Sequence, residues 1–129
     1  MPAEWTWRAV VLVALGGALG CVLRYFAGVW LSRGGFPWGT VAVNLAGSFA
    51  IGVVMFAAIQ RGTFGPEARV FLVTGILGGF TTMSSFAYET SAFVDDSEWA
   101  RAAGYATLNV VGSLGAAFLG RATVTAMAG

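Results

Sequence analysis

The stretch Gly78–Phe86, GGFTTMSSF, constrains this chain more than any other. It sets two glycines and four hydroxyl residues inside an otherwise apolar, charge-free run from Val70 to Tyr88. About 20 apolar residues at the helical rise cross the hydrocarbon core of a bilayer, so the run is long enough to span one. A smooth spanning helix disfavours these residues. Glycine costs about 1 kcal/mol in a helix interior, and adjacent hydroxyls offer the backbone competing hydrogen bonds. The stretch therefore predicts a third helix broken at mid-membrane, with carbonyls and hydroxyls released from the helical ladder. Such backbone persists in lipid only where protein buries it or where it lines a wet pathway. Broken helices at this depth bind ions in transport proteins, whereas Gly/Ser/Thr-rich faces also serve close helix packing. The stretch alone leaves both uses open.

Composition sets the class. The 129 residues are 57% apolar and 10% charged, with a mean hydropathy of +0.77. That predicts an all-α membrane protein with one domain spanning 1–129. Every cation is an arginine and the net charge is +1, so there is no case for a nucleic-acid partner. Histidine is absent and Cys21 is the one cysteine, which excludes a disulfide framework, a His/Cys metal cluster and His-based catalysis. No nucleophile–base constellation is visible, so an enzyme is not expected. The first apolar run follows Arg8 as a signal peptide would, but it continues to Leu31 and carries Arg24, which fits a retained helix.

Four spanning helices are predicted, at about 7–31, 39–60, 70–93 and 98–125. Met1–Thr6 reads as a tail, with Trp5 and Trp7 suited to an interface. In the first helix Gly16 and Gly20, and likewise Ala14 and Ala18, form small-xxx-small pairs. Arg24 falls in its last third and has two readings: snorkelling beside Tyr25 and Trp30, or a cation at the mouth of an anion pathway. Ser32–Trp38 is a turn. In the second helix Thr40, Asn44 and Ser48 recur every four residues, with Gly52 continuing the row, so they share one face. An asparagine there needs a partner, because an unsatisfied amide in hydrocarbon costs several kcal/mol. Glu89 lies near the interface or pairs with an arginine. The Ser97–Glu98 step marks a helix start. In the fourth helix Tyr105, Asn109 and Ser113 repeat the four-residue spacing, and Gly112, Ala116 and Gly120 supply a small face.

With four helices both termini share a side. Arg8, Arg61, Arg69 and Arg121 then fall on that side, against Arg24, Arg33 and Arg101 on the other. So even a division sets no firm orientation by the positive-inside rule. Two copies inserted oppositely would reproduce the inverted repeat that larger transporters carry in one chain.

Arg24-Tyr25 after a Gly-rich first helix, Gly39-Thr40 leading to Val43-Asn44, Gly47-Ser48-Phe49 and, above all, GGFTTMSSF resemble the Fluc/CrcB bacterial fluoride channels. The resemblance covers essentially the whole chain. It implies a fluoride exporter channel of the cell inner membrane, built as an antiparallel, dual-topology homodimer with two pores. It also implies a structural sodium ion at the centre of the dimer, held by the backbone carbonyls of Gly78 and Thr81. The aromatic pair of the pore falls at Met83 and Phe86, and the pore asparagine at Asn44. Tyr105, Asn109 and Ser113 would form the polar track with Ser84 or Ser85, Thr40 would belong to the fluoride pathway, and Arg24 would sit near a vestibule. The chain departs from the family pattern at Met83, where phenylalanine is usual, and at Asn109, where serine is usual. Ser85 in place of threonine is a lesser change. A phenyl ring presents a partly positive edge to an anion, and a thioether offers only weakly polarised C–H groups.

Fluoride is small and strongly hydrated, so a pore must replace its water with hydrogen-bond donors. Ser, Thr, Tyr and Asn stripes supply them without a fixed cation that would trap the ion. The alternatives are a small dual-topology multidrug-type transporter and a structural membrane subunit. The first requires a carboxylate in an early helix, and none lies between Arg8 and Arg61.

Overall fold

A computed structural model describes residues 4–128. Of the predicted tail Met1–Thr6, residues 1–3 lie outside the described residues. The described residues are largely helical, with four segments among them long and apolar enough to cross a membrane: Trp7–Leu31, Trp38–Arg61, Pro66–Asp95 and Trp99–Met127. We label α1 as Trp7–Leu31, α2 as Trp38–Arg61, α3 as residues 66–80, α4 as Met83–Asp95 and α5 as Trp99–Ala128. The third span is thus two helices, α3 and α4, separated by Thr81 and Thr82 in extended conformation.

Local chemistry fixes the ends. Thr6 caps α1, its hydroxyl accepting the Ala9 N–H at 3.1 Å. The SRGGFPW segment turns through Gly34 and Gly35, whose φ of 67° and 75° suits residues without a Cβ. Gly62 closes α2 in the left-handed conformation. The third span starts at Pro66, earlier than the predicted Val70, because proline at the first helical position has its φ preset and lacks only an N–H that would go unpaired. Ser97 turns the chain into α5 with a φ of 59°.

α3 winds first as one α-helical turn, Pro66–Arg69, then as a π-helix over Val70–Leu77, then as a last α turn, Gly78–Phe80. No residue pattern predicted the wide π winding. It lays α3 along α1 with backbones nearly touching. Gly16 and Gly20 are buried in that contact, while Ala14 and Ala18 are exposed, so only the glycine pair serves it. A Cβ on Gly16 would stand 3.0 Å from the Gly75 Cα, and one on Gly20 would overlap the Ile76 carbonyl. α2 and α5 form the other extensive contact, again through small residues. A Cβ on Gly52 would overlap the Ala117 carbonyl, and one on Gly120 that of Phe49. The first half of the third span, α3, packs on α1 and the second half, α4, on α5, and its break falls nearly halfway along Pro66–Asp95.

Candidate functional site

The break is built by diverting donors. In an unbroken helix the Thr82 N–H would serve the Gly78 carbonyl, and the Ser85 N–H that of Thr81. Here the Thr82 N–H donates to Asn44 Oδ1 at 2.8 Å, and the Ser85 N–H to Thr82 Oγ1 at 3.1 Å, where Thr82 caps α4. Asn44 also donates through Nδ2 to the Thr82 carbonyl at 3.1 Å, so its amide splints both backbone groups of one residue. Its remaining N–H donates to Asn109 Oδ1 at 2.9 Å, and Asn109 Nδ2 donates to the Tyr105 carbonyl at 3.1 Å. The two predicted polar stripes therefore face each other across the α2–α5 contact and meet at the break. Gly47 makes room: a Cβ there would overlap the Thr81 methyl.

On the opposite side the Arg24 Nε donates to the Gly79 carbonyl at 2.9 Å. This guanidinium turns inward to the break. Of the two readings of Arg24, the snorkelling one is not what the side chain does.

A cavity of about 460 Å³ opens beside the break. It brings together Asn44, Met83, Phe86, Asn109 and Ser113, with Gly78 and Thr81 also in its wall. Met83 is 72% exposed, whereas Phe86 packs against the Tyr105 ring at 5.6 Å between centroids. A second groove, of about 360 Å³, collects Arg24, Thr40 and Ser85, together with Glu89. Thr82 lines both spaces. Ser84 stands apart from either and lies 3.3 Å from Thr82 through its hydroxyl. Tyr105 is fully buried, ringed by Phe36, Phe86 and Phe93. Its hydroxyl is its only polar end.

That hydroxyl donates to Glu89, and the other Glu89 oxygen accepts from Thr40 Oγ1 at 2.9 Å. Glu89 thus belongs to the polar network, a role that sequence reasoning missed. It neither pairs with an arginine nor stands free at an interface, because two buried hydroxyls, one from α2 and one from α5, donate to its two oxygens. The spacing of Thr40 and Tyr105 signals a polar face but does not say which residue of another helix completes it.

The carbonyls of Gly78 and Thr81, having lost their helical donors, are neutral hard-oxygen ligands. Among the described residues no group of three or more His, Cys, Asp or Glu side chains is placed to hold a metal. The donor set fits a monovalent cation better than a divalent one, which normally takes carboxylates. Gly78 itself is an ordinary right-handed helical residue, and a Cβ there would meet the Val73 carbonyl at an unstrained 3.5 Å. The close approach to α1 is made by Gly79, where a Cβ would stand 2.6 Å from the Gly17 carbonyl and 3.2 Å from Cys21 Sγ.

A family model described as "CrcB-like protein, Camphor Resistance (CrcB)" matches residues 11–121. The chain is also similar to several curated proteins called fluoride-specific ion channel FluC. That of Anaeromyxobacter sp. (strain K) is 46% identical over 123 residues, covering 93% of this chain and 98% of the relative. That of Thermus thermophilus is 48% identical over 113 residues, covering 85% and 88%. That of Agrobacterium fabrum is 45% identical over 116 residues, covering 88% and 93%.

Proposed function

We infer from its family that this chain, which belongs to the CrcB-like proteins, is a fluoride-selective ion channel: it lets cytoplasmic fluoride leave the cell passively and so lowers its toxicity. The observation that carries the reading to particular residues is the meeting of both polar stripes at the break, through Asn44 and Asn109. Fluoride leaves water only if donors replace its hydration shell, and neutral donors do so without holding it too tightly. We assign the pathway to Asn44, Met83, Phe86, Asn109 and Ser113 along the cavity. Arg24, Thr40, Ser84, Ser85 and Tyr105 are assigned to its approaches.

The working unit is an antiparallel, dual-topology homodimer in the inner membrane. Support comes from the even division of arginines and from the cavity, whose wall in one chain is open. In the dimer the Gly78 and Thr81 carbonyls of both copies hold one structural sodium ion, which supplies positive potential when bound. Cysteine labelling in the Arg61–Arg69 loop of a Cys21→Ser background should find the loop on both sides of the membrane. Labelling from one side alone refutes dual topology.

Purified protein in liposomes tests the function directly. Fluoride should flow out without a proton gradient, chloride should not, and exhaustive replacement of sodium by a large organic cation should stop the flux. Comparable chloride flux, or dependence on a proton gradient, excludes the channel reading. A silent protein points to a structural subunit. Full flux without sodium removes the cation site alone.

A further inference from the structure

Asn44 is the residue expected to give an N–H to fluoride, yet in this structure it has none free. The orientation of its amide is forced. Thr82 presents a backbone N–H, which only Asn44 Oδ1 can accept, so Nδ2 must face the Thr82 carbonyl and Asn109. Asn109 is oriented by the same logic. Its Nδ2 donates to the Tyr105 carbonyl one turn back on α5, which leaves Oδ1 pointing at Asn44. Asn109 is buried and Asn44 half-buried.

The two N–H bonds of Asn44 differ in how readily they can be released. The bond to the Thr82 carbonyl is half of a two-point splint whose other half is the Thr82 N–H. Breaking it strands a backbone group beside the break. The bond to Asn109 joins two neutral side chains, and it lies in the wall of the cavity. An anion that accepts strongly can replace Asn109 Oδ1, since hydrogen bonds to a charged acceptor are about twice as strong as neutral ones. A weak acceptor cannot.

We propose that Asn109 is a specificity-determining residue whose side-chain carbonyl occupies the Asn44 N–H and must be displaced by fluoride. This rests on the channel reading above. Asn109 thereby sets how strongly an anion must accept before Asn44 will bind it, a threshold that favours fluoride over chloride. A serine at this position would be too short to span the same gap, so the threshold depends on the asparagine side chain.

Asn109→Ser is the test, with Asn109→Ala as a second variant lacking any hydroxyl. Both should lower the fluoride concentration giving half-maximal flux by about fivefold, the factor that corresponds to one neutral hydrogen bond of about 1 kcal/mol. Both should also weaken discrimination against chloride. The bond itself is read without ions, by NMR of the Asn44 carboxamide in the reconstituted protein. Either substitution should shift one of its two protons and leave the one on the Thr82 carbonyl in place. In the wild type, added fluoride should move that same proton. The proposal is overturned if the carboxamide is unmoved by both substitutions. It is equally overturned if wild-type protein conducts while half-saturation is unchanged in both variants. A wild type that passes no fluoride but shows the expected NMR shift refutes the channel reading and leaves the amide lock standing.

Discussion

The two halves of the third span are held by opposite means. α3 lies against α1 through glycines and bare backbone, where shape alone decides the contact and Arg24 adds a single long-range hydrogen bond. The break and α4 lie against α2 and α5 through a chain of hydrogen bonds: Thr82 to Asn44, Asn44 to Asn109, and Glu89 to Thr40 and Tyr105. The break falls where the first kind of contact gives way to the second. Close glycine packing leaves no room for side-chain donors, so a carbonyl freed on that side meets Arg24 or goes unclaimed. On the other side side-chain amides can reach in and replace the helical ladder. The difference teaches why the span is broken where it is and not merely bent.

The shape-held half should break most completely. A methyl group at Gly79 would press on the Gly17 carbonyl at 2.6 Å, and neither backbone can yield without separating α1 from α3. Overpacking commonly costs about 1–3 kcal/mol and more where backbone must move. Gly79→Ala should therefore leave little monodisperse protein on size-exclusion chromatography. Gly78→Ala, where the added methyl finds 3.5 Å of room, should purify normally. Equal behaviour of the two would mean that glycine packing does not hold this half.

Much of this was legible in the sequence. Long apolar runs mark the four spans, although Arg24 and Glu89 fall within two of them. The glycines and threonines of GGFTTMSSF located the break, because helix propensity and backbone satisfaction both act locally. Four-residue spacing put Thr40 with Asn44 and Tyr105 with Asn109. What could not be read was which side chain meets which across helices. Glu89 looked peripheral because its partners lie 49 and 16 residues away. The two readings of Arg24 stay open in the sequence because its acceptor is a backbone carbonyl, invisible in residue types. The close approach of Gly79 to α1 depends on the winding of α3, which no periodicity announces.

In the polar half the larger effect is on flux. Phe86 is packed against Tyr105, whereas Met83 is 72% exposed in the cavity wall. Phe86→Ile removes a positive ring edge held in place and should reduce fluoride flux at least about tenfold in correctly folded protein, the order of a preorganised contact worth about 1.4 kcal/mol. Met83→Phe should keep or raise the flux. Intact flux in Phe86→Ile would show that the ring serves packing alone.

The smallest effect, and the one that separates the two halves most cleanly, concerns Glu89. Its two oxygens accept from hydroxyls on different helices, so it ties α4 to α2 and α5 at once. Glutamine keeps the shape but offers one acceptor in place of two. One of the hydroxyls, that of Thr40 or of buried Tyr105, must then find another partner or go unsatisfied, at about 1–3 kcal/mol. Glu89→Gln should lower the thermal midpoint modestly, and Tyr105→Phe should do the same by removing the donor. Because the two changes break a shared network, the double variant should be less destabilised than the sum of the singles. Glycine overlaps at the α1–α3 contact have no such coupling to Glu89, so Gly16→Ala combined with Glu89→Gln should add. Strict additivity of Glu89→Gln with Tyr105→Phe would mean that the polar half, too, is held by shape.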